Sequence, residues 1–361
     1  MAGSPLFQTV PGPRPLRVIV VGTGAVGMCW SRAVAKHPEM ELAALADADP
    51  RRARGAAIRL RRPELPTAAG LADLAGVEAD ACINATPPAA HYGVSADALA
   101  RGMAVLSEKP FAASLAEAAR LTAAARTAGR LLMISQSRSY EPGLTMLGQA
   151  AAGLGRLGLV STELSVAHHG GGFRVEMAHP LLLDMAVHAF DAARRLLGAE
   201  PVSVYCDAFS PAWSWFDGAA AASAIIEMAG GSRFCYTGSW CSEGLATSWN
   251  GRWRVSGEHG SICWDGAGPP QAELTGEAAD LPALPPEANG LASDDLVAQV
   301  SRPLADFANA LRTGTPPWGE CGDNLLTLAM VEAAIASATT GTRVDTRTLL
   351  ASAQQEAAEC A

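Results

Sequence analysis

The sequence predicts an α/β protein in two parts. A doubly wound parallel sheet comes first, and a second α/β domain on a mainly antiparallel sheet follows. Three observations carry this. Strand-like and helix-like segments alternate from residue 16 to about 135, as repeated strand–helix units do. The first strand runs directly into three spaced glycines, Gly22, Gly24 and Gly27. Beyond residue 200, strand-like segments follow one another without helices between them, which favours antiparallel neighbours. At 361 residues the chain also exceeds what one core usually organises.

The elements justify themselves in order. Residues 1–15 are rich in Pro and Gly and read as a disordered tail. Residues 17–21 are apolar and mostly β-branched, a buried strand. Residues 28–35 read as a helix and 41–46 as the second strand. Asp49 before Pro50 starts a helix over 50–60. Short strands are expected at 65–68 and 79–85, the latter ending in Thr86-Pro87-Pro88. A helix over 91–101 stops at Gly102. A strand over 104–107 runs into Glu108-Lys109-Pro110. Ser114 with Glu117 three residues on is a capping box for a helix to 127. Gly129 ends it, and 131–134 is the last strand of the domain, whose bounds are 16–135.

Residues 136–361 change pattern and form the second domain. Helices are expected at 142–152 and 181–197, with a strand at 158–167 and a loop, His168-His-Gly-Gly-Gly172, between. Alternating segments at 202–208, 223–228, 233–240, 252–256 and 261–264 read as strands. Residues 266–296, rich in Ala, Pro and Gly, read as a long surface excursion, and helices at 303–312 and 325–339 close the chain.

The first turn points to chemistry. In Gly22-Thr23-Gly24-Ala25-Val26-Gly27 the first glycine allows the tight turn. The second lets backbone approach a pyrophosphate, and the third lets helix and strand pack closely. The anion then faces the helix N-terminus. Asp47, twenty residues after Gly27, ends the second strand, where an acid accepts from adenosine ribose hydroxyls. NAD is therefore expected rather than NADP, whose 2′-phosphate Asp47 would repel. Parallel sheets bind ligands at their strands' carboxyl ends, which collects these residues with Thr86, Pro87, Glu108 and Lys109.

Composition excludes other classes. A net charge of −9 argues against nucleic acid. No apolar stretch is long enough to span a membrane, and the N-terminus carries no secretory pattern. Eight scattered cysteines without metal-ligand spacing imply free thiols in the cytoplasm and no metal site.

Ala85-Thr-Pro-Pro-Ala-Ala-His91, Glu108-Lys-Pro110 and Asp184-Met-Ala-Val-His188-Ala-Phe-Asp191, with the glycine turn, resemble the glucose–fructose oxidoreductase / inositol dehydrogenase / MocA family. So does Leu311-Arg-Thr-Gly-Thr-Pro-Pro317 with Gly341-Thr-Arg-Val. The resemblance covers nearly the whole chain. It implies a Rossmann domain joined to an α/β domain with an open antiparallel sheet. It implies hydride transfer between NAD(P) and a hydroxyl or carbonyl carbon of a sugar, cyclitol or related polyol. It also implies a homodimer or homotetramer.

The family's catalytic lysine falls on Lys109, and its Asp and His on Asp184 and His188. Read physically, Asp184 and His188 are four apart on a helix and share a face. An imidazole can take the proton of an alcohol as its hydride leaves. Lys109 can donate to the reacting oxygen. His91 starts a helix near the cofactor, and Arg138, His168 and His169 are candidate substrate contacts. Asp191 is placed to pair with Arg195 along the helix. The family often reads Asp-x-Gly-x-His, where this chain has Ala186. Two rival functions share the motifs: a redox-neutral enzyme with retained NAD, and a non-catalytic NAD-binding ligand sensor.

Overall fold

A computed structural model describes residues 6–275 and 295–359. These divide into two compact units. The first comprises residues 6–137, 295–325 and 353–359, and the second 138–275 and 326–352. The expectation that everything after residue 135 forms one domain is thus corrected. Two later stretches return to the first unit.

The first unit is built on β1 (Leu16–Val21), β2 (Met40–Ala46), β3 (Thr67–Ala68), β4 (Ala81–Asn84), β5 (Ala104–Glu108) and β6 (Leu132–Ser135). All pair in parallel, in the order β3-β2-β1-β4-β5-β6. The order reverses between β1 and β4, the switch point where such sheets bind ligands. β1 is almost wholly buried, which explains its unbroken apolar run.

Helix α1 (Ala25–Lys36) opens at Gly24. Helix α2 (Pro50–Arg59) is capped by Asp49, which accepts from the Arg51 amide. Helix α3 spans His91–Ala100, and α4 spans Leu115–Ala128. Ser114 caps α4 by accepting from the Glu117 amide, while the Glu117 carboxylate accepts from the Ala113 amide. Gly129 closes α4 in the left-handed region, at φ +60°.

The tail is corrected for residues 6–15, while 1–5 lie outside the described residues. Phe7 is buried, the Gln8 amide donates to Gly129 and the Val10 amide to Leu311. Arg14 forks onto Asp80 with two 2.7 Å bonds. These partners are remote in sequence, so composition alone does not reveal them.

The second unit contains α5 (Pro142–Ala151), β7 (Leu157–Ser165), α6 (Val187–Leu197), β8 (Pro201–Phe209), β9 (Ala221–Met228), β10 (Arg233–Ser239), β11 (Arg252–Gly257), β12 (Gly260–Trp264) and β13 (Gln271–Leu274). With β14 (Val344–Asp345) these strands make an eight-stranded sheet, ordered β13-β12-β11-β7-β10-β9-β8-β14. Only β7 and β10 run parallel; the other neighbours are antiparallel. One face is the core, where Leu147, Leu182 and Phe190 join Val160, Phe234 and Val255. The other carries the row Tyr205, Ile225, Cys235, Ser161, Arg254 and Cys263 in register, with Tyr205 and Ile225 more than 40% exposed.

The excursion over 266–296 is corrected at both ends, because β13 pairs with β12 and α7 (Leu296–Thr313) begins within it. Residues 276–294 lie outside the described residues. Helix α7 starts earlier than expected: Asp295 caps it and Pro303 lies inside it. Helices α8 (Cys321–Thr340) and α9 (Thr346–Glu359) complete the chain.

Candidate active site

The glycine turn of the first unit has little room for side chains. Gly22 has φ +90°, and a Cβ there would lie 2.5 Å from the Ala85 carbonyl oxygen. A Cβ on Gly27 would lie 1.8 Å from the Gly22 carbonyl oxygen. Gly24 is different: a Cβ there would meet nothing within 4 Å. No side chain caps the first amides of α1, and its first turn has no acid. The turn therefore leaves bare backbone and free helix amides facing open space, which suits a pyrophosphate.

Asp47 ends β2 beside this turn. Its Oδ2 accepts from the Thr23 amide and hydroxyl, both at 2.8 Å, and its Oδ1 from the Asp49 amide at 3.0 Å. Burial alone would push the carboxyl up, but the Thr23 and Asp49 bonds and nearby Arg52 hold it below the ordinary carboxylate range. Asp47 thus also clamps the turn. A carboxylate still has acceptor capacity for a ribose. Because its pKa is lowered on folding, its stabilisation is present above the unfolded value and fades as pH falls through the folded one. Asp47→Asn should cost about 1–2 kcal/mol at neutral pH. The difference from wild type should shrink in acid, as read by urea unfolding.

At the ends of β4 and β5 the loops are braced from below. Thr86 Oγ1 donates to Asn84, whose side-chain amide donates to the His91 carbonyl and Ser95. His91 is 1% exposed, with its ring nitrogens 2.7 Å from the Pro110 oxygen and 2.9 Å from the Thr86 oxygen. The His91 ring thus ties the two loops together. Glu108 accepts from Trp30 Nε1 at 2.9 Å and from the Lys109 amide at 3.2 Å. Burial pushes the Glu108 carboxyl up, against the pull of Trp30 and Lys109. Lys109 follows directly, and the Lys109–Pro110 bond is cis.

In the second unit the expected helix over 181–197 opens with a π turn, Leu181–Ala186, and is α-helical from Val187. Asp184 lies in the wide turn and His188 lies four residues on, in the α-helical part. Both are buried. Arg174 donates to Asp184 at 2.5 Å. His188 lines a narrow cavity of about 30 Å³ that opens to solvent, walled by Met185, Ala189 and Ala192 on one side and Thr162, Leu164, Tyr236, Trp253 and Trp264 on the other. Arg138 and Trp249 also line it. Arg138 donates to the Trp249 carbonyl at 3.0 Å and to Asn250 at 3.1 Å. Burial draws the Arg138 guanidinium down, against Glu141 and Asp184.

The histidine loop divides. The His168 ring packs 4.9 Å from that of Trp240, and burial with nearby Arg174 lowers its pKa against Asp184. His169 is exposed, stacks on Trp215 at 4.0 Å and pairs with Glu243 at 2.7 Å. Asp191 is fully buried and accepts from Ser139 and Thr327. The sequence reading missed the Arg174–Asp184 pair, and it missed Tyr236 and Asn250 on the cavity wall. None has a local motif; strand alternation at 233–240 was the one signal that could place Tyr236 facing inward.

A model of the oxidoreductase family's NAD-binding Rossmann fold matches residues 16–136, and a GFO/IDH/MocA C-terminal domain model matches 151–263. The chain is 29% identical to the rhizopine catabolism protein MocA of Rhizobium meliloti, over 88% of this chain and 93% of that protein. It is 31% identical to inositol 2-dehydrogenase 4 of Saccharopolyspora erythraea, over 53% of this chain and only 56% of that protein. The match to protein y4oX of Sinorhizobium fredii likewise spans about half of that protein, 54%. An Agrobacterium radiobacter oxidoreductase, solved with NAD+, L-tartaric acid and magnesium, shares the fold with a TM-score of 0.81 at 20% identity, over 92% of this chain and 99% of that one. No helix among the described residues is long and apolar enough to cross a membrane. The chain belongs to the Gfo/Idh/MocA oxidoreductase family.

Proposed function

We propose that this protein transfers hydride between NAD and a carbinol or carbonyl carbon of a sugar, cyclitol or related polyol. The observation that carries the reading is His188 on the wall of a cavity that also holds Arg138 and three tryptophans. An apolar, aromatic wall with a few polar groups is the usual make-up of a small-molecule site, and sugars stack on such rings.

Gly22, Thr23, Gly24, Ala25, Val26 and Gly27 would hold the pyrophosphate, and Asp47 the adenosine ribose. Thr86, Pro87, Glu108 and Lys109 border the same sheet edge. Bound nicotinamide supplies the hydride acceptor, or the donor in reverse. The residues of this chain do the rest. His188 takes the hydroxyl proton as the carbonyl forms, and returns it in reduction. Lys109 donates to the same oxygen and stabilises the charge that develops there. Asp184, held by Arg174, orients the substrate beside His188. Arg138, His168 and His169 contact its other oxygens.

The test is a panel of sugars and cyclitols with NAD, following the reduced-nicotinamide absorbance. Accumulation with at least one polyol supports the reading. Conversion without accumulation would make the enzyme redox-neutral. Binding without conversion would make it a sensor.

Two further expectations belong here. NAD should bind more tightly than NADP, because Asp47 repels a 2′-phosphate and Arg51 already pairs with Asp49 at 3.0 Å. Calorimetry showing equal or tighter NADP binding would overturn this. The chain should also self-associate through the outer sheet face bearing Tyr205 and Ile225, whose exposed apolar groups favour cover. Light scattering at micromolar concentration should then exceed the 37.2 kDa of one chain; a mass of one chain alone would contradict it. Seven free cysteines among the described residues accord with a reducing, cytoplasmic setting.

A further inference from the structure

One buried polar group on the cavity wall has no part in the scheme above. Tyr236, on β10, is 1% exposed and lines the same cavity as His188 and Arg138. Among the described residues its hydroxyl has no hydrogen-bond partner. Buried hydroxyls are costly when unsatisfied, and native structures give nearly all of them a partner.

The strand shows where this hydroxyl lies. Gly238 is two residues on and faces the same side. A Cβ on Gly238 would lie 2.2 Å from the Tyr236 hydroxyl and 2.6 Å from its Cζ. The ring therefore lies along the strand, over bare glycine, and carries its hydroxyl toward the carboxyl end of β10. β7 runs parallel beside it, and Leu164, opposite Gly238, also lines the cavity. Past that end the two strands lead to Trp240 and His168, whose rings meet at 4.9 Å. Burial, with Cys206 nearby, pushes the Tyr236 hydroxyl far above its ordinary range. It is thus a donor at every physiological pH, and not a base.

We infer that Tyr236 is a substrate-binding residue of this cavity, donating a hydrogen bond to a polyol oxygen other than the one being oxidised. Gly238 makes the room for it. The site then selects for an oxygen at that second position, since a ligand lacking it leaves the phenol buried and unpaired. The inference rests on the polyol reading of the site.

The test compares wild type with Tyr236→Phe, both loaded with NAD, against myo-inositol, D-glucose and their single-deoxy analogues. Without polyol, the two proteins should melt at the same temperature, because no protein partner is lost. With a polyol that wild type binds, calorimetry should show Tyr236→Phe weaker by about 10–100-fold. KM should rise more than kcat falls. One deoxy analogue should bind both proteins equally. A clear drop in melting temperature without polyol would assign the hydroxyl to the fold and overturn the inference. Equal binding of every polyol by both proteins would overturn it while leaving the polyol reading intact. Failure of wild type to bind any of them would overturn the reading and the inference together.

Discussion

His188→Asn is expected to cut turnover by about 10²–10⁴-fold, the usual contribution of a positioned acid or base. The fold should survive. His188 stands on the cavity wall of α6, flanked by Val187, Ala189 and Phe190, and Asn is smaller and still polar. Cofactor affinity should also survive, because the glycine turn and Asp47 belong to the other compact unit. Lys109→Met should be impaired partly in binding, since its ammonium is assigned to the substrate oxygen. The double variant should lose less than the product of the two losses, because groups that act as a unit are not additive. Single-turnover kinetics on a responsive polyol would check this. Near-normal turnover by His188→Asn would move the proton transfer elsewhere, with Lys109 the next candidate. Tyr236 would not qualify, because burial holds its proton on.

Gly27→Ala and Gly24→Ala should separate the two tasks of the glycine turn. At Gly27 a methyl would overlap the Gly22 carbonyl at 1.8 Å. That neighbour is backbone, which cannot swing aside as a side chain can. The turn must deform, at a cost of about 1–3 kcal/mol for overpacking. Gly27→Ala should thus lower the melting temperature and weaken NAD binding together. At Gly24 a methyl meets nothing within 4 Å. Gly24→Ala should melt like wild type yet bind NAD at least tenfold more weakly, because the methyl occupies the space a pyrophosphate needs. Calorimetry with thermal melts distinguishes the pair. Wild-type NAD affinity in Gly24→Ala would place the pyrophosphate somewhere else.

These contrasts track what could be read from the sequence. The first unit was legible because its signals are local. The apolar run of β1, the Asp49 and Ser114 caps and Gly129 each act within a few residues of themselves. Gly22 and Gly27 announced a steric constraint that the structure shows as contacts below 3 Å. What stayed hidden depends on partners far along the chain. The N-terminal segment reads as a tail until Phe7, Gln8 and Val10 meet α4's end and α7. β14 is two residues long and exists because Val344 finds Val204.

The site divides in the same way. Lys109, Asp184 and His188 sit in recognisable motifs. The π turn at Leu181–Ala186 does not appear in an apolar pattern, since one turn is too short to display a period. Arg174 reads as one more basic residue in a loop. Its pairing with Asp184 is a tertiary fact, as is the room Gly238 leaves for Tyr236.

The central claim is that this chain moves hydride to a nicotinamide while His188 takes the proton. The most direct measurement uses a responsive polyol deuterated at its carbinol carbons, with mass spectrometry of the cofactor after turnover. The account predicts one deuterium in the reduced cofactor, a matching ketone or lactone product, and loss of both in His188→Asn. Product formation with the cofactor still oxidised and unlabelled would contradict it.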